Sequence, residues 1–174
     1  KEIKKHLKKY NIKNYKIVLE PAKKNTGPAI LATALIKDIP EKQPMIFLTA
    51  DHLIEKVSKF NTQIRKNKKY LTEKNIFIFG IKPNTPSDQF GYLITKKIKN
   101  NLNKVNKFVE KPNLFNAKRI IKRGGYWNSG MFFLRKDSII HNFKKYQKIT
   151  YQNCYKAIIK AKYKKNVYYL NKQA

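Results

Sequence analysis

The chain has 174 residues, with 40 lysines and arginines against 10 aspartates and glutamates, so its formal net charge is +30. Its 41% hydrophobic and 13% aromatic content is enough for a packed core, which excludes a disordered basic tail. Cys154 is the only cysteine, which excludes intrachain disulfides and all-cysteine metal sites. The sequence has no apolar run of about 18 residues, as a membrane span requires. We therefore expect one domain over residues 1–174, cytoplasmic and without a membrane partner.

The positive charge consists almost entirely of lysine. Four of the 40 basic residues are arginines, which leaves 36 lysines, and these are spread along the whole chain. A surface built for phosphate recognition usually shows arginines and a localised patch. The even spread therefore favours a solvated lysine coat and no specific nucleic-acid partner. A basic nucleic-acid-binding module remains the alternative function.

Apolar patterns predict the following elements in chain order. They are helix 1–10, strand 15–19, helix 28–37, strand 45–48, helix 54–70, strand 76–79, strands 92–98 and 105–109, helix 114–122, strand 127–134, and helices 137–146 and 151–163. The early strands are continuous apolar runs that alternate with helices, which is typical of parallel sheets covered on both faces. Strands 92–98 and 105–109 read as a hairpin. We predict an α/β, Rossmann-like fold with a mainly parallel sheet and helices on both faces.

Three of the few acidic residues lie at the ends of predicted strands: Glu20 and Glu110 directly follow their strands, and Asp51 follows strand 45–48 after two residues. Ligands of open α/β sheets bind beyond the carboxyl ends of the strands, so these acids are candidate site residues. Asp51 could hold a divalent cation such as magnesium, which prefers oxygen ligands. The alternative is that Asp51 caps a helix beginning near Leu53.

Two further segments carry candidate chemistry. Glu110 and Lys111 place an acceptor of sugar hydroxyls beside a cation for phosphate, although an ordinary surface charge pair is the alternative. In the segment Trp127–Met131, an amide and Gly130 interrupt an apolar strand, which indicates either the close approach of a ligand or a β-bulge. No glycine-rich phosphate loop or nucleophile motif is present in the sequence.

Five blocks resemble mannose-1-phosphate guanylyltransferases, in the family's order. They read EPAKKNTGPAI from Glu20, LTADH from Leu48, IKPNTP from Ile81 with FGYLI from Phe90, FVEKP from Phe108 and WNSGMF from Trp127. The resemblance implies the nucleotide-diphospho-sugar transferase fold and two substrates, GTP and mannose 1-phosphate. Mannose 1-phosphate would attack the α-phosphate of GTP, giving GDP-mannose and pyrophosphate, with magnesium as cofactor.

The resemblance also assigns roles to individual residues. It implies that Asp51 and Lys111 are catalytic, with Asp51 also binding the metal. The residues that it implies for sugar phosphate are Gly91, Glu110, Lys111 and Asn128, and those for the nucleotide are Glu20, Asn25, Thr26 and Ala50. Glu20 could accept the N1 and N2 hydrogens of guanine and so select guanine over adenine.

Some positions depart from the family pattern. Lys24 replaces Arg, Gly27 replaces Ala, Thr49 replaces Pro, and Ser87-Asp88-Gln89 replaces Glu-Thr-Gly. The last departure weakens the sugar-site assignment most. The family's glycine-rich signature would precede Lys1, and a second metal-binding aspartate would follow Ala174. We therefore expect an incomplete, internal piece of a longer enzyme with little activity by itself, or alternatively an inactive gene remnant.

Overall fold

The computed structural model describes residues 2–99 and 102–171 and confirms the α/β fold class. In these residues the helices are α1 (Glu2–Lys9), α2 (Thr26–Ala34), α3 (Val57–Asn67), α4 (Leu114–Lys122), α5 (Lys136–Tyr146) and α6 (Lys148–Ile159), and a 3₁₀ turn follows α3 at Lys68–Tyr70. The strands are β1 (Ile17–Leu19), β2 (Pro44–Phe47), β3 (Ile76–Ile81), β4 (Tyr92–Lys99), β5 (Leu102–Val109), β6 (Tyr126–Arg135), β7 (Lys162–Lys164) and β8 (Val167–Tyr169). Each helix among these residues is too short or too polar to span a membrane.

The described residues divide into two compact units. One, the terminal unit, is drawn from Lys1–Gln43 and Arg135–Ala174, and the other, the central unit, from Pro44–Leu134. The single domain expected from the length of the chain stays a prediction.

The terminal unit is built on α2, which packs against α5 and α6. Buried side chains of α2 include Ile30, Leu31 and two alanines, whose small size lets the neighbouring helices approach closely. The helix begins at Thr26, two residues earlier than predicted, so Pro28 lies in its first turn. Proline is tolerated there because first-turn N–H groups have no partner within the helix.

A hairpin at the end of the terminal unit was missed by the sequence prediction. The helix expected to run to residue 163 ends at Ile159, and β7 pairs antiparallel with β8 through a two-residue turn. Both turn residues, Lys165 and Asn166, have positive φ, as the favoured hairpin turn requires. The turn lacks the glycine that usually signals this geometry in a sequence. β8 also pairs in parallel with β1, giving a three-stranded sheet in the order β1-β8-β7.

The central unit contains a five-stranded sheet in the order β2-β6-β4-β5, with β3 also paired to β6. The strand directions differ from the mainly parallel sheet that was predicted. The pairs β3–β6, β4–β6 and β4–β5 are antiparallel. An apolar run buried on both faces looks the same in either direction, so its sequence does not reveal how it pairs. The predicted hairpin of β4 and β5 is confirmed.

Helix α4 covers part of the central sheet and forms its core with β4. Tyr92 is fully buried against Ala117 and Ile120 of α4. The helix begins at the predicted residue because the side chain of Asn113 accepts a hydrogen bond from the N–H of Asn116. It ends where Gly124 adopts a φ of +77°, which glycine permits at little cost.

The first residue of α5 is a buried lysine. Only 8% of Lys136 is exposed, and its Nζ donates hydrogen bonds to the carbonyl oxygens of Ile36 (2.9 Å) and Ile39 (2.6 Å). Burial lowers the pKa of Lys136 from its ordinary value of 10.5, while the charges of Glu41 and Asp38 oppose this shift. Lys136 thus joins the start of α5 to the segment that follows α2.

We expect Lys136→Met to lower the free energy of unfolding by about 1–3 kcal/mol at neutral pH, because two carbonyl groups lose a buried donor. The unfolded lysine keeps its proton to higher pH than the folded one, so its contribution to stability rises as pH increases towards 10.5. The stability gap between wild type and variant should therefore widen with pH in urea unfolding experiments. Lys4→Met, at an exposed position of α1, is the control. Equal stability of Lys136→Met and wild type would contradict the structural role.

Candidate functional site

The register of the central sheet brings four strand ends to one edge. Trp127 near the start of β6 lies opposite Ile81 at the end of β3 and Tyr92 at the start of β4. Tyr92 in turn pairs with Val109 at the end of β5. Residues just outside these ends therefore lie close together, whatever their separation in sequence.

Three of the residues predicted to bind sugar phosphate meet at this edge. The backbone N–H of Asn128 donates a hydrogen bond to the carbonyl of Gly91 at 2.8 Å. A Cβ atom at Gly91 would lie 2.9 Å from Oε2 of Glu110 and 2.7 Å from Cζ of Phe108. The absence of a side chain at Gly91 thus leaves the room that the Glu110 carboxylate and the Phe108 ring now occupy.

Lys111 is exposed and has an unusual backbone conformation. Its φ is +41°, and it precedes the buried Pro112. Positive φ is uncommon for non-glycine residues, and helical conformations are disfavoured before proline. Such strained residues concentrate at functional sites. Among the described residues, Glu110 and Lys111 form no ion pair with each other. Their roles at the site stay a prediction.

The segment around Asn128 contains the β-bulge that was the alternative explanation of its sequence. The β3–β6 register shifts between Ile78 and Gly80, and Gly130 has a φ of +69°. The Asn128 Oδ1 atom accepts a hydrogen bond from the N–H of Gly130 at 3.1 Å. The bulge therefore fixes the amide oxygen and leaves the side-chain NH₂ group of Asn128 as a donor.

Ala50 and Asp51 form an exposed turn after β2. The methyl Cγ2 of the preceding Thr49 lies 3.5 Å from the position of a Cβ at Gly130, so this segment approaches the bulge. Asp51 does not cap a helix, because α3 begins at Val57 with Lys56 at its N-cap position. The capping alternative is therefore wrong.

The donor set around Asp51 limits what metal chemistry the chain can support. No group of three or more histidine, cysteine, aspartate or glutamate residues occurs in residues 2–99 and 102–171 that could hold a metal ion. Magnesium is commonly bound by one or two carboxylates, with phosphate and water oxygens as its other ligands. The exposed carboxylate of Asp51 fits such a site as a single protein ligand.

The other predicted nucleotide residues belong to the terminal unit. Glu20 is exposed directly after β1, and Asn25 is the N-cap of α2, with a φ of 67° and no capping hydrogen bond from its side chain. Thr26 is the first residue of that helix. A helix N-terminus favours negative charge because its first N–H groups lack partners.

Cys154 lies on α6, which packs against α2. Its sulfur is 3.9 Å from the carbonyl oxygen of Pro28. Burial raises the pKa of the Cys154 thiol, and the negative charge of Glu20 raises it further. A thiol with a raised pKa is a poor nucleophile at neutral pH, which agrees with the lack of a nucleophile motif in the sequence.

Two buried polar atoms were not expected from the sequence. The Trp127 Nε1 atom and the Thr49 Oγ1 atom are buried without a hydrogen-bond partner among the described residues. Phe90 packs on Trp127, with ring centroids 4.8 Å apart. The tryptophan and phenylalanine were part of recognised blocks, but their pairing depends on the meeting of β4 and β6. Thr49 could have been noticed in the sequence, because it introduces a hydroxyl group where the family has a proline.

Comparisons with known proteins identify the family of the chain. The family model described as "Nucleotidyl transferase" matches residues 1–173. The chain therefore belongs to the nucleotidyl transferase family, as the sequence blocks indicated.

Two curated relatives show which nucleotidyl transferases the chain resembles. The chain is 35% identical over 161 residues to "Mannose-1-phosphate guanylyltransferase" of Escherichia coli K12, covering 87% of this chain and 34% of that protein. It is 30% identical over 162 residues to "Alginate biosynthesis protein AlgA" of Pseudomonas aeruginosa, covering 90% of this chain and 34% of that protein. The chain thus spans about a third of the length of the curated relatives that it matches. The resemblance to the guanylyltransferases is confirmed, and the nucleic-acid-binding alternative gains no support.

Two solved structures share the fold. The structure titled "mannose-6-phosphate isomerase from Helicobacter pylori" superposes with a TM-score of 0.80 at 28% identity, covering 96% of this chain and 66% of that one. A second structure, of a "mannose-1-phosphate geranyltransferase" from Thermus thermophilus, has a TM-score of 0.73 at 22% identity, with 83% and 43% covered, and shows the fold alone.

The close contacts around Gly91 predict that a side chain at this position moves its neighbours but has little effect on the stability of the protein. We expect Gly91→Ala to lower the free energy of unfolding by less than about 1 kcal/mol, because its neighbours are the tips of two exposed side chains that can move. The Glu110 carboxylate should nevertheless shift, which NMR chemical shifts of its side chain would detect. An unmoved Glu110 in Gly91→Ala would contradict the packing described here.

Proposed function

We propose that this chain carries sugar-phosphate and nucleotide contacts of a mannose-1-phosphate guanylyltransferase, which transfers GMP from GTP to mannose 1-phosphate. The observation that carries the proposal is the grouping of Gly91, Glu110 and Asn128 at one sheet edge in a member of the nucleotidyl transferase family. The names of the relatives support guanine and mannose as the substrates. The proposed products are GDP-mannose and pyrophosphate.

The sugar phosphate is recognised by complementary groups. The Glu110 carboxylate accepts hydrogen bonds from sugar hydroxyls, while the side-chain NH₂ group of Asn128 donates to one. Gly91 keeps a side chain out of the space beside them. Lys111 supplies a compact positive charge for the phosphate, which its position next to Glu110 allows it to reach.

The reaction is an in-line displacement at phosphorus. A phosphate oxygen of mannose 1-phosphate forms a bond to the α-phosphorus of GTP, and the bond from that phosphorus to the bridging oxygen of pyrophosphate breaks. The electron pair of the broken bond leaves with pyrophosphate. Such reactions are accelerated by positioning two anions and offsetting their charge, so no covalent nucleophile is required. Lys111 offsets charge on the sugar phosphate in this scheme.

Asp51 is the residue that would hold magnesium. When bound, the ion offsets the negative charge of the triphosphate. Asp51 contributes one oxygen ligand, and Ala50, in the same turn, contacts the nucleotide beside it. The exposure of this turn leaves the carboxylate accessible to a metal-bound nucleotide.

The nucleotide base is proposed to be read in the terminal unit. The Glu20 carboxylate accepts hydrogen bonds from N1 and N2 of guanine, a pattern of donors that adenine lacks. Asn25 and Thr26, at the start of α2, are proposed to contact the nucleotide as well. The strained φ of Asn25 is consistent with a loop held in one conformation for binding.

Titration of mannose 1-phosphate by calorimetry tests the sugar assignment. Glu110→Gln keeps the size of the side chain but removes its charge, and we expect a dissociation constant at least about tenfold higher, because hydrogen bonds to charged groups contribute about 1.5–3 kcal/mol. Glu73→Gln, at an exposed carboxylate of the same unit, should bind as wild type does. Equal affinity of Glu110→Gln and wild type would remove Glu110 from the site. A wild-type chain that binds no mannose 1-phosphate would refute the proposed function.

The base assignment is tested separately with nucleotides. A glutamine at position 20 presents an NH₂ group as well as an oxygen, so Glu20→Gln loses part of the acceptor pattern for guanine. We expect its preference for GTP over ATP to fall by about tenfold or more in competition binding experiments, since loss of a specific polar contact strongly changes discrimination. Glu2→Gln in α1 is the matched control. An unchanged preference in Glu20→Gln would dispose of guanine selection by this residue.

A further inference from the structure

Tyr92 makes an unusual pair of hydrogen bonds at the sheet edge. Its side chain is 0% exposed, and its hydroxyl donates to the carbonyl of Ser87 at 2.9 Å. The same hydroxyl accepts a hydrogen bond from the N–H of Ser87 at 3.0 Å. One buried phenol therefore binds both main-chain groups of a single residue. A buried tyrosine hydroxyl needs a partner, but this arrangement also fixes the position and orientation of the Ser87 backbone.

Ser87 belongs to the β3–β4 loop, which comprises residues 82–91 and ends at the candidate sugar site. Beyond Ser87, Phe90 packs on Trp127, and the carbonyl of Gly91 accepts the hydrogen bond from Asn128. The loop is therefore held near its middle by Tyr92 and at its end by β6. Release of the first contact would remove the hydrogen bonds between Tyr92 and both main-chain groups of Ser87.

We propose that Tyr92 is a positioning residue for the sugar-phosphate site, acting through the β3–β4 loop rather than by contact with substrate. Its buried ring is anchored against α4, and its hydroxyl transmits that fixed position to Ser87. The loop then presents Gly91 and Phe90 in one arrangement beside Glu110 and Trp127. The identity of the ligand in this inference rests on the proposed function. The contact of Tyr92 with the loop is independent of any ligand.

This arrangement also explains how the chain tolerates its main departure from the family pattern. The contacts of Tyr92 are made to main-chain groups, which every residue other than proline supplies at position 87. Replacement of the family's Glu-Thr-Gly by Ser87-Asp88-Gln89 therefore leaves the attachment of the loop intact. Within the new sequence, the Ser87 hydroxyl accepts a hydrogen bond from the N–H of Gln89 at 3.1 Å, which adds a local turn contact.

The experiment compares Tyr92→Phe with two controls in the full chain. Tyr92→Phe keeps the buried ring and removes both hydrogen bonds to Ser87. Ser87→Ala keeps the main-chain groups and removes only the side-chain hydroxyl. Tyr163→Phe removes an exposed hydroxyl in the terminal unit. Each variant is first shown by thermal unfolding to be folded at the measurement temperature.

Three readouts separate positioning from a general loss of structure. Amide hydrogen exchange reports on the β3–β4 loop and on the rest of the central unit. Acrylamide quenching reports on Trp127, which is the only tryptophan of the chain and lies beneath Phe90. Calorimetry gives the dissociation constant of mannose 1-phosphate.

For Tyr92→Phe we expect faster exchange confined to the loop, stronger quenching of Trp127 and an affinity for mannose 1-phosphate about tenfold lower, from the loss of two hydrogen bonds. Saturating mannose 1-phosphate should restore protection of the loop, because coupling between loop order and binding is reciprocal. Tyr163→Phe should match wild type within about twofold in all three readouts. Ser87→Ala keeps the hydrogen bonds to Tyr92 and should match wild type in affinity and quenching, with faster exchange limited to the Gln89 amide, which loses its acceptor.

Wild-type affinity in Tyr92→Phe, or faster exchange throughout the central unit without a specific effect on the loop, would overturn the proposal. The two proposals fail in different ways. If the wild-type chain binds no mannose 1-phosphate, the proposed function fails, and the sugar-positioning role of Tyr92 fails with it. Unchanged loop exchange in Tyr92→Phe would overturn the hold on the loop irrespective of any ligand.

Discussion

The candidate site of the central unit depends on the antiparallel pairing of β6 with β3 and β4. Because β6 runs antiparallel to β3, its beginning lies beside the end of β3. β4 pairs with β6 only through the first two residues of each strand, so the beginning of β4 lies there too. The pairing of β4 with β5 then adds the end of β5 to the same edge. Segments that are distant in the sequence are thereby brought to one place. This register also allows the hydrogen bond between the N–H of Asn128 and the carbonyl of Gly91, which joins β6 to the residue before β4.

Backbone conformation supplies the second constraint. Gly130 adopts a positive φ within the bulge, and Lys111 and Asn25 do so without the freedom of glycine. Neighbouring contacts must compensate for conformations that are otherwise unfavourable, and at Lys111 one such neighbour is the buried Pro112. Positions of this kind hold their side chains in restricted arrangements. In the proposed reaction, which depends on the positioning of two anions, restricted geometry contributes more than a reactive nucleophile. The raised pKa of the Cys154 thiol agrees with the lack of a nucleophile in that proposal.

Much of the fold was accessible from the sequence because the local signals agreed with the tertiary structure. The helix at Leu114–Lys122 was predicted with its correct bounds, since Asn113 caps it and two glycines follow it closely. The hairpin at Lys162–Tyr169 was not accessible, because its turn residues adopt positive φ without glycine and β8 is stabilised by pairing with β1. Tyr92 was read as an ordinary strand residue. Its role in holding Ser87 required knowledge of how the β3–β4 loop folds back.

The sequence by itself determined the family, because five short blocks in a fixed order specify it through residue identity alone. It also determined which residue types were available for chemistry, since ten acidic residues in a basic chain left few candidates. Only the tertiary structure decided that Glu110 and Lys111 form no ion pair, that Asp51 caps no helix, and that Gly91, Glu110 and Asn128 are neighbours. The physical reason is that strand direction and register depend on pairing between distant segments. An apolar run carries the same pattern whichever neighbour it joins.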